Sequence, residues 1–317
     1  MFFQSLLNQL PGGIAEALIW AILALGVFVT YKILDFADLT VDSSFATGGC
    51  VAVILMVAGA HPILAMAAAF GSGAIAGIIT AILNTKLKIP AILSGILTMS
   101  ALYSVNIHIL GMRASQALVL TNPYKKIPSL IERVGIFFES KNIIIDEITI
   151  AIAICIITLI ILIAFLYWFF GTEQGSAIRA TGNNKIMATA QGINTDRAKI
   201  IALALSNGFA ALSGAMLSQY NSNASINDGS GAIVIALASV VIGELIFGNR
   251  ISFWVKLLSV VIGSLIYRLI IVIALQIGFK SEDLKLISSI ILVIALCVPE
   301  IKKKLTKLST REGKKNA

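Results

Sequence analysis

Charged side chains inside apolar runs are the residues of this chain best placed to do chemistry. Asp35, Asp38 and Asp42 fall within eight residues of one another, and Glu244 and Arg268 lie inside later apolar runs. An ionised group in hydrocarbon is costly unless a partner or water stabilises it. Each of these residues is therefore a candidate for contact with a polar solute on a path through a membrane.

The three aspartates permit two interpretations. In the first, the chain breaks at a membrane surface, and Asp42 or Thr40 caps the helix that follows. In the second, the aspartates form a gate for a solute or contact the amino group of that solute. The sequence alone leaves both interpretations open.

Arg268 lies close to the middle of its apolar run, where it needs an acidic partner. Glu244 is one candidate, and Asp35 or Asp38 is another. One interpretation of Arg268 is a purely structural ion pair. The other is that its guanidinium meets the carboxylate of a passing solute.

The elements that hold these residues are long apolar runs. Of the 317 residues, 58% are hydrophobic and 13% are charged, whereas roughly 25% of the residues of a soluble protein are charged. About 20 apolar residues in a helix cross a bilayer. The runs predict an all-α, polytopic membrane protein with a single transmembrane domain, 1–317, and about nine spans. These spans are near 14–34, 45–60, 63–83, 90–111, 148–170, 200–217, 232–247, 257–277 and 286–298.

Small residues within the spans predict close helix packing. Gly73 and Gly77 form a GxxxG pattern in the third span, a spacing that lets two helix backbones approach. The partner helix could belong to the same subunit or to a second subunit around a pore.

The distribution of Lys and Arg sets the predicted topology. The polar segment 171–199 and the basic tail 300–317 are placed in the cytoplasm, where basic residues are enriched, and the N-terminus then lies outside. Basic residues beside a span also contact anionic lipid headgroups. The connection 112–142 falls outside although it holds five basic residues, and it is the exception to this topology.

The segment 171–199 is polar and is held at both ends by spans. Residues 184–191 predict a short surface helix, because Ile186, Met187 and Ala190 share one face at helical spacing. Such a helix either rests on lipid or docks into a soluble partner.

The block RATGNNKIMATAQGINTDRAK, at 179–199, resembles the cytoplasmic coupling segment of ATP-binding-cassette (ABC) importer permeases of the branched-chain amino acid and ribose type. Blocks at 33–49, 203–220 and 235–248 follow the same order as in that superfamily. They resemble a branch in which some members are assigned to aromatic amino acids.

This resemblance implies a coupling loop, 171–199, that contacts a separate ATPase. The residues that match the coupling motif are Arg179, Thr181, Gly182, Asn183, Met187, Gln191, Gly192 and Ile193. Met187 would supply an adaptable apolar contact. The glycines at 182 and 192 would let the chain turn on either side of the short helix.

The resemblance also implies the partners and the location. Two ABC ATPase subunits would bind the ATP, since this sequence lacks a P-loop motif and has no cofactor of its own. A second permease subunit, as a homodimer, would complete the pore, and an extracytoplasmic solute-binding protein would deliver the solute. The expected location is the bacterial inner membrane, and the expected solute is an amino acid moved by alternating access.

Other classes fit the sequence less well. An ion-coupled secondary transporter would also use intramembrane Asp, Glu and Arg. A membrane-embedded, Mg²⁺-dependent prenyl transferase would need a second acidic cluster facing the aspartates, which the sequence does not offer. We expect no catalytic residues, no metal site, because Cys/His clusters are absent, and no nucleic-acid partner.

Overall fold

The computed structural model describes residues 2–121, 124–141, 145–248, 252–280 and 283–297. The helices are α1 (Phe2–Val27), α2 (Thr40–Val57), α3 (Pro62–Thr85), α4 (Ala91–Ile109), α5 (Leu130–Glu139), α6 (Glu147–Gly171), α7 (Glu173–Asn183), α8 (Lys185–Ala190), α9 (Thr195–Tyr220), α10 (Ala232–Phe247), α11 (Phe253–Ile277) and α12 (Leu284–Cys297). A π-helical turn, Phe28–Ile33, continues α1. The basic tail 300–317 lies outside the described residues.

The fold is all-α, as the sequence predicts. Seven of the described helices are long and apolar enough to cross a membrane, namely α1 with its π-helical turn, α2, α3, α4, α6, α9 and α11. Helices α10 and α12 are apolar but shorter. The predicted number of nine spans is therefore not confirmed.

Short strands, which the sequence analysis did not predict, lie in the connections at one end of the bundle. β1 (Ser115–Ala117) pairs antiparallel with β4 (Asn223–Ser225), with Gln116 opposite Ala224. β2 (Val119–Thr121) pairs antiparallel with β3 (Tyr124–Lys126). The first pair ties the connection after α4 to the connection after α9.

Helix α9 lies at the centre of the bundle and packs against α1, α2 and α3. Small residues make this possible: a Cβ on Gly73 or Gly77 would collide with the carbonyl oxygens of Asn207 or Leu203 on α9. The GxxxG pattern therefore serves packing within one subunit. Gly48 meets Ala211 of α9 in the same way.

The end of the bundle that carries α7 and α8 also carries the turn between α3 and α4. Lys199 Nζ at the start of α9 donates to Asn84 Oδ1 at the end of α3, 2.9 Å away. The opposite end carries the short strands and α5. Ser129 caps α5 by accepting from the amide of Glu132, and the Glu132 side chain accepts from the Ser129 amide in return.

We predict that Gly77→Ala destabilises the protein and that Gly71→Ala does not. Both glycines lie on α3, but a Cβ at Gly71 meets nothing within 4 Å, whereas one at Gly77 collides with backbone atoms of α9. Overpacking of this kind costs about 1–3 kcal/mol. Thermal unfolding of the detergent-solubilised protein measures the difference, and equal melting temperatures for the two variants would contradict it.

Candidate functional site

The segment 34–39 interrupts the helical path between the π-helical turn and α2, and of its two aspartates Asp38 is buried whereas Asp35 is exposed. Asp38 is buried and accepts from Asn207 Nδ2 on α9 (2.6 Å) and from the amide of Thr40 (2.9 Å). Asn207 Oδ1 in turn accepts from Ser44 Oγ of α2, at 2.6 Å. Asp38 thereby caps the start of α2 and ties it to the middle of α9.

Asp42 holds the start of another helix. Its carboxylate accepts from the amides of Gly231 (3.1 Å) and Ile233 (2.7 Å), which are among the N–H groups that α10 leaves unpaired at its first turn. Gly231 has a φ of 87°, which favours glycine. The expectation that Asp42 or Thr40 caps α2 is wrong, because Asp38 has that role and Asp42 reaches across to α10.

The loop 221–231 contacts Asp42 through its last residues. A Cβ at Gly229 would collide with the carbonyl oxygen of Asp42, so the loop touches the first turn of α2. Within the loop, burial raises the pKa of the Asp228 carboxyl, while the hydrogen bond from the Ser225 amide lowers it. Helix α10 therefore begins inside the bundle, which explains why it is shorter than the spans around it.

Thr40 and Asp35 differ from these two aspartates. Thr40 Oγ1 shares a buried hydrogen bond with Thr80 Oγ1 of α3, at 2.7 Å. Asp35 is exposed, has a φ of 55°, and lines an open cleft of about 490 Å³ at the α7 end. Basic residues surround that cleft, namely Lys32, Arg179 and Lys256. The three aspartates thus do not form one gate.

The two remaining charged candidates lie in separate ion pairs. Lys32 Nζ is 2.7 Å from Glu244 Oε1, at the end of the bundle that carries the cleft. Arg268 pairs with Glu16 of α1, and both side chains are about three-quarters buried. The prediction that Arg268 pairs with Glu244, Asp35 or Asp38 is therefore wrong. Glu16 is a residue that the sequence analysis missed, although it lies inside the first predicted span.

Three side-chain caps shape the segment 171–199. Thr172 Oγ1 accepts from the amide of Gly175, Asn184 Oδ1 from Met187, and Asn194 Oδ1 from Arg197. They start α7, α8 and α9, so the short helix predicted at 184–191 is present as α8.

The two glycines of this segment have different roles. Gly192 has a φ of 81° and makes the turn after α8, as expected. Gly182 lies within α7, where a Cβ would collide with the carbonyl oxygen of Ile33 in the π-helical turn. The turn before α8 falls instead at Asn184, with a φ of −158°. Gly182 is therefore a packing residue, contrary to the expectation of a turn.

Helix α8 presents apolar side chains outward. Ile186 is 82% and Met187 is 57% exposed, and Ala190 is exposed beside them, while Ala188 is buried against the body. We call Ile186, Met187 and Ala190 the α8 surface. The exposed apolar area at the tip of a polar segment can bind a partner or lipid.

The other predicted coupling residues surround this surface at different depths. Asn183 and Gln191 are exposed, Ile193 is half-buried, and Arg179 lines the cleft. Thr181 is buried, and its hydroxyl donates to the carbonyl oxygen of Ala177 (2.7 Å), so it packs within the protein and stabilises α7. In the described part of the chain, no group of three or more His, Cys, Asp or Glu side chains could hold a metal ion.

Comparison with known proteins decides the family. The family model of the permease component of branched-chain amino acid transport systems matches residues 10–296. The chain belongs to this permease family. No solved structure matches it.

Two relatives cover nearly the whole permease. It is 34% identical over 299 residues to the tyrosine transport system permease protein of Clostridioides difficile (strain R20291), and the alignment covers 93% of each chain. It is 32% identical over 293 residues to an uncharacterized protein of Rickettsia prowazekii (strain Madrid E), covering 92% of the permease and 97% of the relative. The ribose import permease protein of Escherichia coli (strain K12) is 27% identical over 75% of this chain and 69% of its own.

We predict that Asp42→Ala lowers the stability of the permease by about 1–3 kcal/mol, because the amides of Gly231 and Ile233 lose their buried acceptor. Asp42→Asn keeps one acceptor oxygen and should lose less. Asp35→Asn is the control, since Asp35 is exposed and Asn tolerates a positive φ. Thermal unfolding ranks the variants, and an Asp42→Ala variant as stable as Asp35→Asn would refute the capping role.

Arg268→Gln alone should destabilise the permease, because it leaves the Glu16 carboxylate partly buried without its counter-ion. We expect a cost of about 2 kcal/mol, below the value for a fully buried pair. The double variant Glu16→Gln, Arg268→Gln should recover most of that stability. If the loss of stability in the double variant equals the sum of the losses in the two single variants, the two residues are not coupled.

Proposed function

We propose that this permease is the transmembrane subunit of an ABC importer for a small polar solute, with an amino acid as the solute. The observation that carries the proposal is the α8 surface, because a short helix with exposed apolar side chains between two spans suits docking into a soluble motor. The family match and the lack of a P-loop in the sequence support ATP hydrolysis by separate ATPase subunits.

The proposed mechanism is alternating access. ATP binding closes two ATPase subunits, and their movement reaches this chain through the α8 surface. Helix α8 adjoins α7, and α7 abuts the π-helical turn through Gly182 and Ile33. That turn leads directly into the segment 34–39. Through these contacts a displacement of α8 would reach the break before α2, and π-helical turns are frequent at functional sites.

The partners follow from the same proposal. A second copy of this permease closes the pore, and an extracytoplasmic solute-binding protein delivers the solute at the end that carries the strands. The protein is placed in the bacterial inner membrane with its N-terminus outside and its C-terminus in the cytoplasm. Tyrosine is the first solute to test, because one relative of nearly equal length is named for tyrosine transport.

The aspartates and Arg268 have mainly supporting roles in this proposal. The carboxylates of Asp38 and Asp42 accept hydrogen bonds within the chain, and Arg268 forms an ion pair within the chain. Asp35 remains open to the cleft, where Arg179 also lies, and is the acid that a departing solute could meet. Thr40 and Glu244 hold neighbouring elements together.

Substitution of the α8 surface tests the docking. Ile186→Asp should abolish ATP-dependent uptake of labelled tyrosine into membrane vesicles while the melting temperature is kept, because a charge replaces an exposed apolar contact. Ile136→Asp is the matched control: it is 58% exposed on α5, at the opposite end of the bundle. We expect a loss of at least about tenfold for Ile186→Asp and little change for Ile136→Asp, since central interface contacts dominate binding.

Two results would contradict the proposal. Full uptake by a stable Ile186→Asp variant would remove α8 from the coupling. Uptake that needs a proton or sodium gradient, and continues in vesicles without ATP, would favour the ion-coupled transporter instead.

A further inference from the structure

Helix α4 has two faces of different character. Ser94, Thr98, Leu102 and Asn106 follow each other at intervals of four residues and are buried. This side faces α2, where Ser43 Oγ donates to the α4 carbonyl at Met99, 2.9 Å away. The residues on the other side of α4 are exposed in the single chain.

The exposed side changes composition at the middle of the helix. In the half nearer the α7 end it carries Leu93, Ile96 and Leu97, which suit lipid or an apolar contact. In the half nearer the strands it carries three hydroxyl side chains, together with the exposed Ala101, Val105 and His108. We call the three hydroxyl side chains the α4 hydroxyl face: Ser100, Tyr103 and Ser104.

These three hydroxyls make no hydrogen bond with any described residue. Other hydroxyls of the spans behave differently. On α4 itself, Ser94 donates to the Ala91 carbonyl and Thr98 to the Ser94 carbonyl. Beyond the first turn of each of the seven spanning helices, every other Ser and Thr in the described ranges has a hydrogen bond.

Contact with lipid would make such a face unstable. Moving a hydroxyl into an apolar medium without a partner costs roughly 2–7 kcal/mol. A hydroxyl on a lipid-facing helix normally avoids this by bonding its own backbone, as Thr158 does to the Ile154 carbonyl on the largely exposed helix α6 (2.8 Å). The hydroxyls of the α4 hydroxyl face make no such bond, which favours a cover of water or a polar molecule over lipid.

We propose that Ser100, Tyr103 and Ser104 line an aqueous vestibule of the translocation path, which extends from the strand end to the middle of α4. There the hydroxyls donate to the carboxylate of a small zwitterionic solute and accept from its ammonium group, and the Tyr103 ring, 47% exposed, packs on its apolar part. The second permease subunit completes the wall. This inference rests on the proposed transport function.

Thiol labelling tests the vestibule directly. In a Cys297→Ser background the native thiols Cys50 and Cys155 are buried. A charged methanethiosulfonate reagent is added to freeze–thawed vesicles, so that it reaches both membrane surfaces, and it reacts only with a hydrated, ionisable thiol. Ser104→Cys is the test variant.

The controls lie on surfaces of known exposure. Ser140→Cys, after α5, represents water, and Ile157→Cys, 58% exposed on α6, represents lipid. We expect Ser104→Cys to react within about tenfold of Ser140→Cys, and both Ile157→Cys and Leu97→Cys to react at least about a hundredfold more slowly, because thiols in hydrocarbon stay protonated. A Ser104→Cys rate equal to that of Ile157→Cys would overturn the proposal.

A dry interface between two copies is also distinguishable. It would give an oxidative disulfide between the introduced thiols of two Ser104→Cys subunits while the charged reagent fails to react, and that result overturns the vestibule.

Uptake of tyrosine provides the second measurement. Saturating tyrosine should slow the labelling of Ser104→Cys by about threefold or more, and labelling should abolish the uptake that the same variant shows before labelling, since a bulky charge then occupies the path. Full transport by the labelled variant would overturn the solute contact. Failure of every variant to transport tyrosine, with the introduced thiol of Ser104→Cys still reactive, would reject the proposed function or solute while leaving the aqueous surface established.

Discussion

The constraint on which the structure depends is that backbone N–H groups cannot be left unpaired away from water. Two helices, α2 and α10, begin inside the bundle, and each start needs an acceptor. Asp38 serves α2 and Asp42 serves α10. The positive ends of the two helix dipoles also favour these carboxylates. A pair of buried acids is thus explained by the two broken spans beside them.

The charges on α1 follow a similar logic. Glu16 on α1 and Lys32 in the π-helical turn lie near opposite ends of one span, and each pairs with a counter-ion on a later helix, Arg268 on α11 and Glu244 on α10. The apolar residues between them form a large part of the core. These two ion pairs therefore join α1 and its π-helical turn to the C-terminal helices by charge as well as by packing.

The sequence predicted the class of fold and the short helix α8, because hydropathy and helical spacing are local signals, and the resemblance of four sequence blocks indicated the family. It did not predict which amides Asp42 would cap, since Gly231 lies 189 positions later in the chain. Glu16 was missed for a different reason: an acid near the start of an apolar run looks like a boundary residue. The count of nine spans is not confirmed, since seven described helices are long enough to cross a membrane and α10 and α12 are shorter.

The glycine contacts described for α9 have a mechanical consequence. Where backbone meets backbone, no side chain lies between the helices to change rotamer, which favours movement of such helices as one rigid body. Helices α2, α3 and α9 form one such block, and α10 and α11 form another, because Gly243 and Gly263 abut the carbonyl oxygens of Ser259 and Ser239. The Asp42 carboxylate links the two blocks through its hydrogen bonds to the amides of Gly231 and Ile233, so a displacement of one block past the other would have to preserve or break those bonds.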